Sequence, residues 1–97
     1  MSRVILLAEA REDALEAFRW YEKERRGLGK LFRASLNDTI QRIRHAPLAS
    51  AVVYRDLRRT LVDRFPYGVF YRAQPGTILV VGIIHGHRDP SAWQRRA

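Results

Sequence analysis

Apolar residues recur in different rhythms along the chain, and each rhythm predicts a different element. Val4, Ile5, Leu6 and Leu7 form an unbroken run rich in branched side chains, which predicts a strand that ends at Ala8 and is buried on both faces. From Glu9 to Arg25 the spacing turns helical. Ala14, Ala17, Phe18 and Tyr21 fall on one side and Glu12, Glu16, Arg19 and Lys23 on another, with Glu9, Glu12 and Asp13 suited to the positive end of the helix dipole. Gly27-Leu28-Gly29 interrupts this pattern. Beyond it Leu28, Phe32, Leu36, Ile40 and Ile43 recur at helical spacing as the core face of a second helix that Pro47 ends. Two helices separated by so short a break predict an antiparallel αα-hairpin.

The segment from Pro47 to Asp56 is ambiguous, since Val52-Val53-Tyr54 fits either the beginning of a strand or a loop tucked under the sheet, and it is read as loop. From Leu57 onward β-branched and aromatic residues dominate, with breaks at Phe65-Pro66-Tyr67 and Gln74-Pro75-Gly76. Pro75 supplies the fixed φ, and Gly76 the positive φ, of a type II turn, which predicts an antiparallel hairpin of Tyr67 to Ala73 with Thr77 to Ile84. The second arm is almost wholly apolar and is expected to be a central strand. Asp89-Pro90-Ser91 opens a last helical turn carrying Trp93. The order is β-α-α-β-β-β, an α+β fold in which one αα-hairpin packs on a mainly antiparallel sheet, and residues 1–97 are expected to form one domain.

Charge adds a partner class to this picture. Eighteen Lys plus Arg against ten Asp plus Glu give +8, and only Lys23 and Lys30 are lysines, so the basicity is carried by guanidinium groups suited to phosphate or carboxylate. The first fifty residues carry ten basic and seven acidic side chains, and the remaining forty-seven carry eight and three, so the sheet half is the more polarised. Arg58, Arg59, Arg64 and Arg72 fall on neighbouring predicted strands, with Arg88, Arg95 and Arg96 after the last one, and together they predict a basic surface on one side of the sheet. With no cysteine, disulfides, thiolate nucleophiles and cysteine-ligated zinc are excluded. The apolar run at Val4 to Ala8 is too short for a signal-peptide core or a membrane span, so a cytoplasmic protein is expected.

His85-Gly86-His87-Arg88 is the one cluster that resembles an active site, since two histidines and an arginine supply acid, base and phosphorane stabilisation for metal-free ribonucleolysis. Histidines at a strand end also serve as structural caps. No metal site is expected, because His45 is remote in sequence and no carboxylate cluster accompanies the pair; no cofactor is expected either. Trp20 and Tyr21 are adjacent in the first helix and cannot face the same way. Tyr21 belongs to the core stripe, and Trp20 points off it as a candidate docking residue.

Taken in order, several segments resemble the RelE/ParE superfamily of type II toxin–antitoxin systems, on its ParE-like, plasmid-stabilisation branch. They are Ala10-Arg11-Glu12-Asp13-Ala14-Leu15 with Trp20-Tyr21-Glu22, Gly27-Leu28-Gly29 with Phe32, Arg58-Arg59, Phe65-Pro66-Tyr67 with Val69 and Tyr71, and His85 with Arg88-Asp89-Pro90 and Trp93. The resemblance implies a toxin held inactive by a cognate acidic, ParD-like antitoxin whose C-terminal segment wraps it, with Trp20 and Leu31 as antitoxin-contact residues. Two activities occur in the superfamily. Ribosome-dependent endoribonucleases cleave mRNA with basic and acid/base residues on the sheet and near the C-terminus, whereas ParE-type members share the fold, poison DNA gyrase and lack that catalytic set. Leu57 to Ala73 offers arginines but no histidine or glutamate, which is closer to the ParE branch. The expectation is therefore a non-enzymatic gyrase inhibitor contacting its target through Arg58, Arg59, Arg64, Arg72, Arg88, Trp93, Arg95 and Arg96. The alternative is a ribosome-dependent mRNA endoribonuclease using His85, His87 and Arg88.

Overall fold

The computed structural model describes residues 2–97. Strand β1 (Arg3–Leu6) leads into helices α1 (Ala8–Glu24) and α2 (Leu28–His45), followed by β2 (Val52–Tyr54), β3 (Leu57–Leu61), β4 (Tyr67–Gln74), β5 (Thr77–His85) and a final helical turn α3 (Ser91–Gln94). The five strands form one sheet in the order β1-β5-β4-β3-β2, with β1 parallel to β5 and every other pair antiparallel. The αα-hairpin covers one face, and α3 with the C-terminus covers part of the other.

The helical hairpin closes where the sequence breaks. Gly27 takes a left-handed φ of 89°, which glycine adopts without steric cost. Gly29 is required for a different reason, because a Cβ there would lie 2.6 Å from the Phe18 carbonyl oxygen and from Glu22 Cγ. The two helices therefore approach through a glycine. The first turn of α2 has no acidic residue of its own. Glu22 of α1 fills that place, accepting a 2.9 Å hydrogen bond from the Gly29 N–H. Backbone N–H groups, that of Gly27 foremost, hold the Glu22 carboxyl below the usual range.

Phe32, Leu36 and Ile43 are buried beneath α2 while Leu28 and Ile40 pack at the margin, as the spacing predicts. The centre of this core is aromatic: Tyr21 and Phe32 lie 5.3 Å apart, and Phe65 and Tyr67 each meet both of them edge-on. The core's outer margin is tied by the Tyr71 hydroxyl, which donates to the Pro47 carbonyl at 2.8 Å. A second cluster on the opposite sheet face gathers Leu57, Phe70, Val81, Ile84, Ala92 and Trp93, with Trp93 stacked on Phe70 at 4.7 Å.

Two expectations are corrected. The stretch Pro47 to Asp56 contains β2, a three-residue edge strand whose register against β3 shifts between Val52 and Tyr54, too short to carry an alternation signal. Strand β1 is an edge strand and only half-buried, with Arg3 exposed, because β5 is its sole neighbour. The β4–β5 turn forms as expected, with Gly76 at φ 69°. Strand β5 carries a bulge at Val81, since Phe70 pairs with Gly82 and Tyr71 with Val80.

Candidate functional site

The pleat and the turns decide where each candidate side chain goes. Leu57 packs into the cluster on the face away from the helices, so Arg59 shares that face and Arg58 takes the other. Arg58 is engaged there, donating to the carbonyls of Ser50 at 2.6 Å and Leu48 at 3.3 Å. Arg72 lies on the far face with Arg59, paired to Asp56 at 3.3 Å and donating to the Arg96 carbonyl at 3.0 Å. Arg64 is not on a strand: it sits in the turn after β3 with a left-handed φ of 68°, and lines a cavity beside α2 together with Leu28, Leu31 and Asp38. The expected single basic surface is therefore divided. Arg59, Arg72 and the exposed Arg95 of the C-terminal turn belong to the far side, whereas Arg58 and Arg64 belong to the helical side.

Trp93 and Arg96 are inside the molecule. Trp93 stacks on Phe70, and the Arg96 side chain, 10% exposed, runs to α1. There its Nη1 donates to Asp13 Oδ2 at 2.6 Å and to the Val81 carbonyl at 3.1 Å, and its Nη2 reaches Asp13 Oδ1 at 3.3 Å. Asp13 also accepts the Ile83 N–H at 3.0 Å. The reason lies in the strand lengths. Strand β5 outruns β1 and bulges at Val81, so the Val81 carbonyl and the Ile83 N–H have no strand beside them. The carboxylate and guanidinium supply those partners. Hydrogen bonding to Asp13 holds the Arg96 guanidinium still more firmly protonated than usual. Its Nε, 3.2 Å from Glu9 Oε2, is close enough for an ion pair without the alignment of a hydrogen bond. Little of either the Trp93 or the Arg96 side chain is exposed, and both hold the C-terminal segment against the sheet.

His85 ends β5 on the helical side and lines a cavity of about 190 Å³ with Asp13, Glu16, Trp20, Tyr67 and Arg88. Its Nδ1 accepts the His87 N–H at 3.0 Å, and Tyr67 meets it edge-on at 5.2 Å. His87 is exposed and its ring lies 5.2 Å from that of His85. Burial raises the Tyr67 hydroxyl pKa. The same cavity holds two carboxylates, those of Asp13 and Glu16, so a phosphodiester would enter against their charge. The sequence places Asp13 at the positive end of a helix dipole, Glu16 on the polar face of α1 and Tyr67 at a strand break, and marks none of them as a site residue. Asp13 had a visible signal, a carboxylate three residues from Ala10 and four from Ala17 on the core stripe of α1. Among the described residues no group of histidines and carboxylates has metal-site geometry.

Trp20 and Leu31 are 56% and 54% exposed, on α1 and α2. Leu15 is also exposed on α1 and borders an apolar groove of about 250 Å³ with Ala14, Phe18, Phe32, Arg33 and Leu36, whereas the exposed Leu7 borders Val81 and Arg96 at the edge of the sheet. The helical hairpin thus carries an apolar, partly open surface. No helix among the described residues is long and apolar enough to cross a membrane.

Comparison with known proteins agrees with this architecture. A family model described as the ParE toxin of the type II toxin–antitoxin system parDE matches residues 4–90. A solved structure of a chromosomal ParDE toxin–antitoxin system from P. aeruginosa superposes with a TM-score of 0.77 at 12% identity, covering 88% of this chain and 96% of that one. Among curated proteins no relative matches by sequence.

Proposed function

Because the chain belongs to the ParE toxin family of type II toxin–antitoxin systems, we propose that it acts in the cytoplasm as an inhibitor of DNA gyrase, neutralised by an acidic antitoxin laid along the helical hairpin. The observation that carries this reading is the division of the surface. Exposed apolar side chains, Trp20 and Leu31 among them, gather on the hairpin, while Arg59, Arg72 and Arg95 lie on the opposite side. An amphipathic helix is recognised by apolar anchors, which favours the hairpin for the antitoxin. A net charge of +8 would speed its association with an acidic partner.

The nuclease alternative is disfavoured by the surroundings of its acid/base groups. General acid–base cleavage needs a proton donor, a proton acceptor and a cation within reach of one phosphate. His85 has one ring nitrogen occupied by the His87 N–H, and the carboxylates of Asp13 and Glu16 share its cavity. Arg88 lines that cavity and would be the one cation there, set against those two carboxylates, while the arginines of the far sheet face stand on the other side of the strands.

The test is a supercoiling assay with purified gyrase and the isolated protein. Inhibition is expected, with DNA left in covalent complex with gyrase, and charge reversal at Arg88 and Arg95 weakening it more than replacement of both His85 and His87 by Gln. Ribosome-dependent mRNA cleavage lost in the double histidine variant, with supercoiling unaffected, would overturn the reading.

A further inference from the structure

Among the described residues two that are not glycine hold a left-handed backbone, Arg55 at φ 52° and Arg64 at φ 68°, and both are arginines. A Cβ is disfavoured in that region, and turn positions that need it ordinarily take Gly, Asn or Asp. A long cationic side chain at such a position is a local conflict of the kind that function sustains.

Arg55 lies in the turn between β2 and β3. Its guanidinium carbon sits 5.1 Å from the centre of the Tyr54 ring, and that ring meets Trp93 edge-on at 6.3 Å. This places Arg55 on the sheet face away from the helices. Arg59, four residues on, shares the face and is exposed. Its aliphatic stem runs over Gly68, where a Cβ would come within 3.1 Å of Arg59 Cγ and Cδ, so the glycine leaves room for the stem to lie flat on the sheet. Neither Arg55 nor Arg59 has an ion-pair partner among the described residues. Arg72, on the same face, is held by Asp56.

We infer that Arg55 and Arg59 form a phosphate-contact line through which the far sheet face meets the backbone of duplex DNA. The inference rests on the gyrase reading, since gyrase holds duplex DNA as its substrate, and it adds a DNA-binding surface and a binding residue, Arg55, to it. Arg55 in the turn and Arg59 in β3 are at most about 13 Å apart along the backbone, a length over which one strand of a duplex carries no more than about four phosphates. The apolar distribution separates DNA from an acidic peptide. Leu15, Trp20 and Leu31 are exposed on α1 and α2, whereas among the described residues the strands expose Val52 and, on the far face with Arg59, Leu61 as single large hydrophobics. A peptide helix needs such anchors; a phosphate backbone needs guanidinium groups at fixed positions.

Arg64 provides a matched control. Arg64→Gly removes the same charge and relieves the same backbone conformation as Arg55→Gly, but on the helical side. Binding of the purified chain to a fluorescent duplex is followed by anisotropy over a salt series, with thermal melting of each variant alongside. Arg55→Gly and Arg59→Gln are each expected to weaken binding roughly 5- to 10-fold at 0.1 M salt and to lower the salt slope by about one. Arg64→Gly should leave the slope unchanged, and both glycine variants should melt at or above the wild-type temperature. Equal losses for Arg55→Gly and Arg64→Gly would reduce the effect to net charge and overturn the inference. So would a slope untouched by Arg55→Gly, or a loss confined to binding of an acidic peptide. Failure of the wild type to inhibit supercoiling would sink the gyrase reading, whereas failure here with supercoiling still inhibited would sink only the DNA contact.

Discussion

Replacing Asp13 with Ala tests the stitch that joins α1, the free end of β5 and the C-terminus. The carboxylate is 16% exposed and accepts from both terminal nitrogens of Arg96 and from the Ile83 N–H. Its removal leaves a guanidinium that is 10% exposed with only the Val81 carbonyl and the exposed Glu9 for company, and leaves the Ile83 N–H without its acceptor. Breaking one partner of a buried pair costs about 3–5 kcal/mol and orphaning a backbone N–H about 1–3 kcal/mol. Glu9 and water entering the gap offset part of this, so the expected net loss is about 3–4 kcal/mol. A domain of this size has about 5–15 kcal/mol in total, and the variant should melt roughly 12 °C or more below wild type. Urea denaturation of the purified chain, followed by tryptophan fluorescence, reads the effect, since Trp93 lies three residues from Arg96. Arg96→Met should cost less, because Asp13 keeps the Ile83 N–H and stays near water. A loss under about 1 kcal/mol for Asp13→Ala, or a larger loss for Arg96→Met, would refute the account of Asp13 as the partner of an otherwise unpaired strand end.

Phe32→Ala removes a ring that is 1% exposed at the centre of the aromatic core, and should cost about 3–5 kcal/mol in the same denaturation assay. Glu22 has a depressed pKa in the folded chain, so its contribution is present above the unfolded value and is lost as pH falls through the folded one. The melting-temperature gap between wild type and Glu22→Gln should therefore be open at neutral pH and close under acid conditions; a gap independent of pH would show that the N–H contacts do not depend on the charge. Trp20→Ala and Leu31→Ala alter exposed positions, so stability should move by under about 0.5 kcal/mol while antitoxin affinity falls about 30-fold at a hot spot. Unchanged affinity in both variants would remove the hairpin as the antitoxin site.

The parts of the fold legible from the sequence are those where local chemistry and burial agree. The spacing of Phe32, Leu36 and Ile43 marked the buried face of α2 because the helix packs that face alone, and Pro75-Gly76 marked the turn because only a residue such as glycine takes φ 69° readily there. Strand β2 is only half legible, since Val52-Val53-Tyr54 has strand composition but three residues with a shifted register carry no period to decide it. The half-burial of β1 escapes the sequence for another reason. An apolar run reports affinity for a core, not the number of neighbouring strands, and β1 lies at an edge with its apolar residues half covered.

The candidate site was less legible because its contents are fixed by long-range geometry. Arg58 and Arg59 look like one basic pair in sequence, yet the pleat sends them to opposite faces, and Arg58 ends on carbonyls of the loop after α2. Arg96 meets a residue 83 positions away, a pairing that only the bulge at Val81 and the short reach of β1 explain. Of the eight basic residues in the sheet half, Arg58, Arg72 and Arg96 are held by partners in other elements, and the Arg95 side chain bonds only the Ala92 carbonyl of its own turn at 3.5 Å. The side chains of Arg55, Arg59, Arg64 and Arg88 have no hydrogen-bond or ion-pair partner among the described residues, which leaves these four and Arg95 to meet another molecule. Long-range attraction follows the net charge of +8 of the whole chain, to which held and free arginines both contribute. Specific contact depends on the five with no such partner, and their distribution over two faces lets one small basic chain present different surfaces to an inhibitor and to a target.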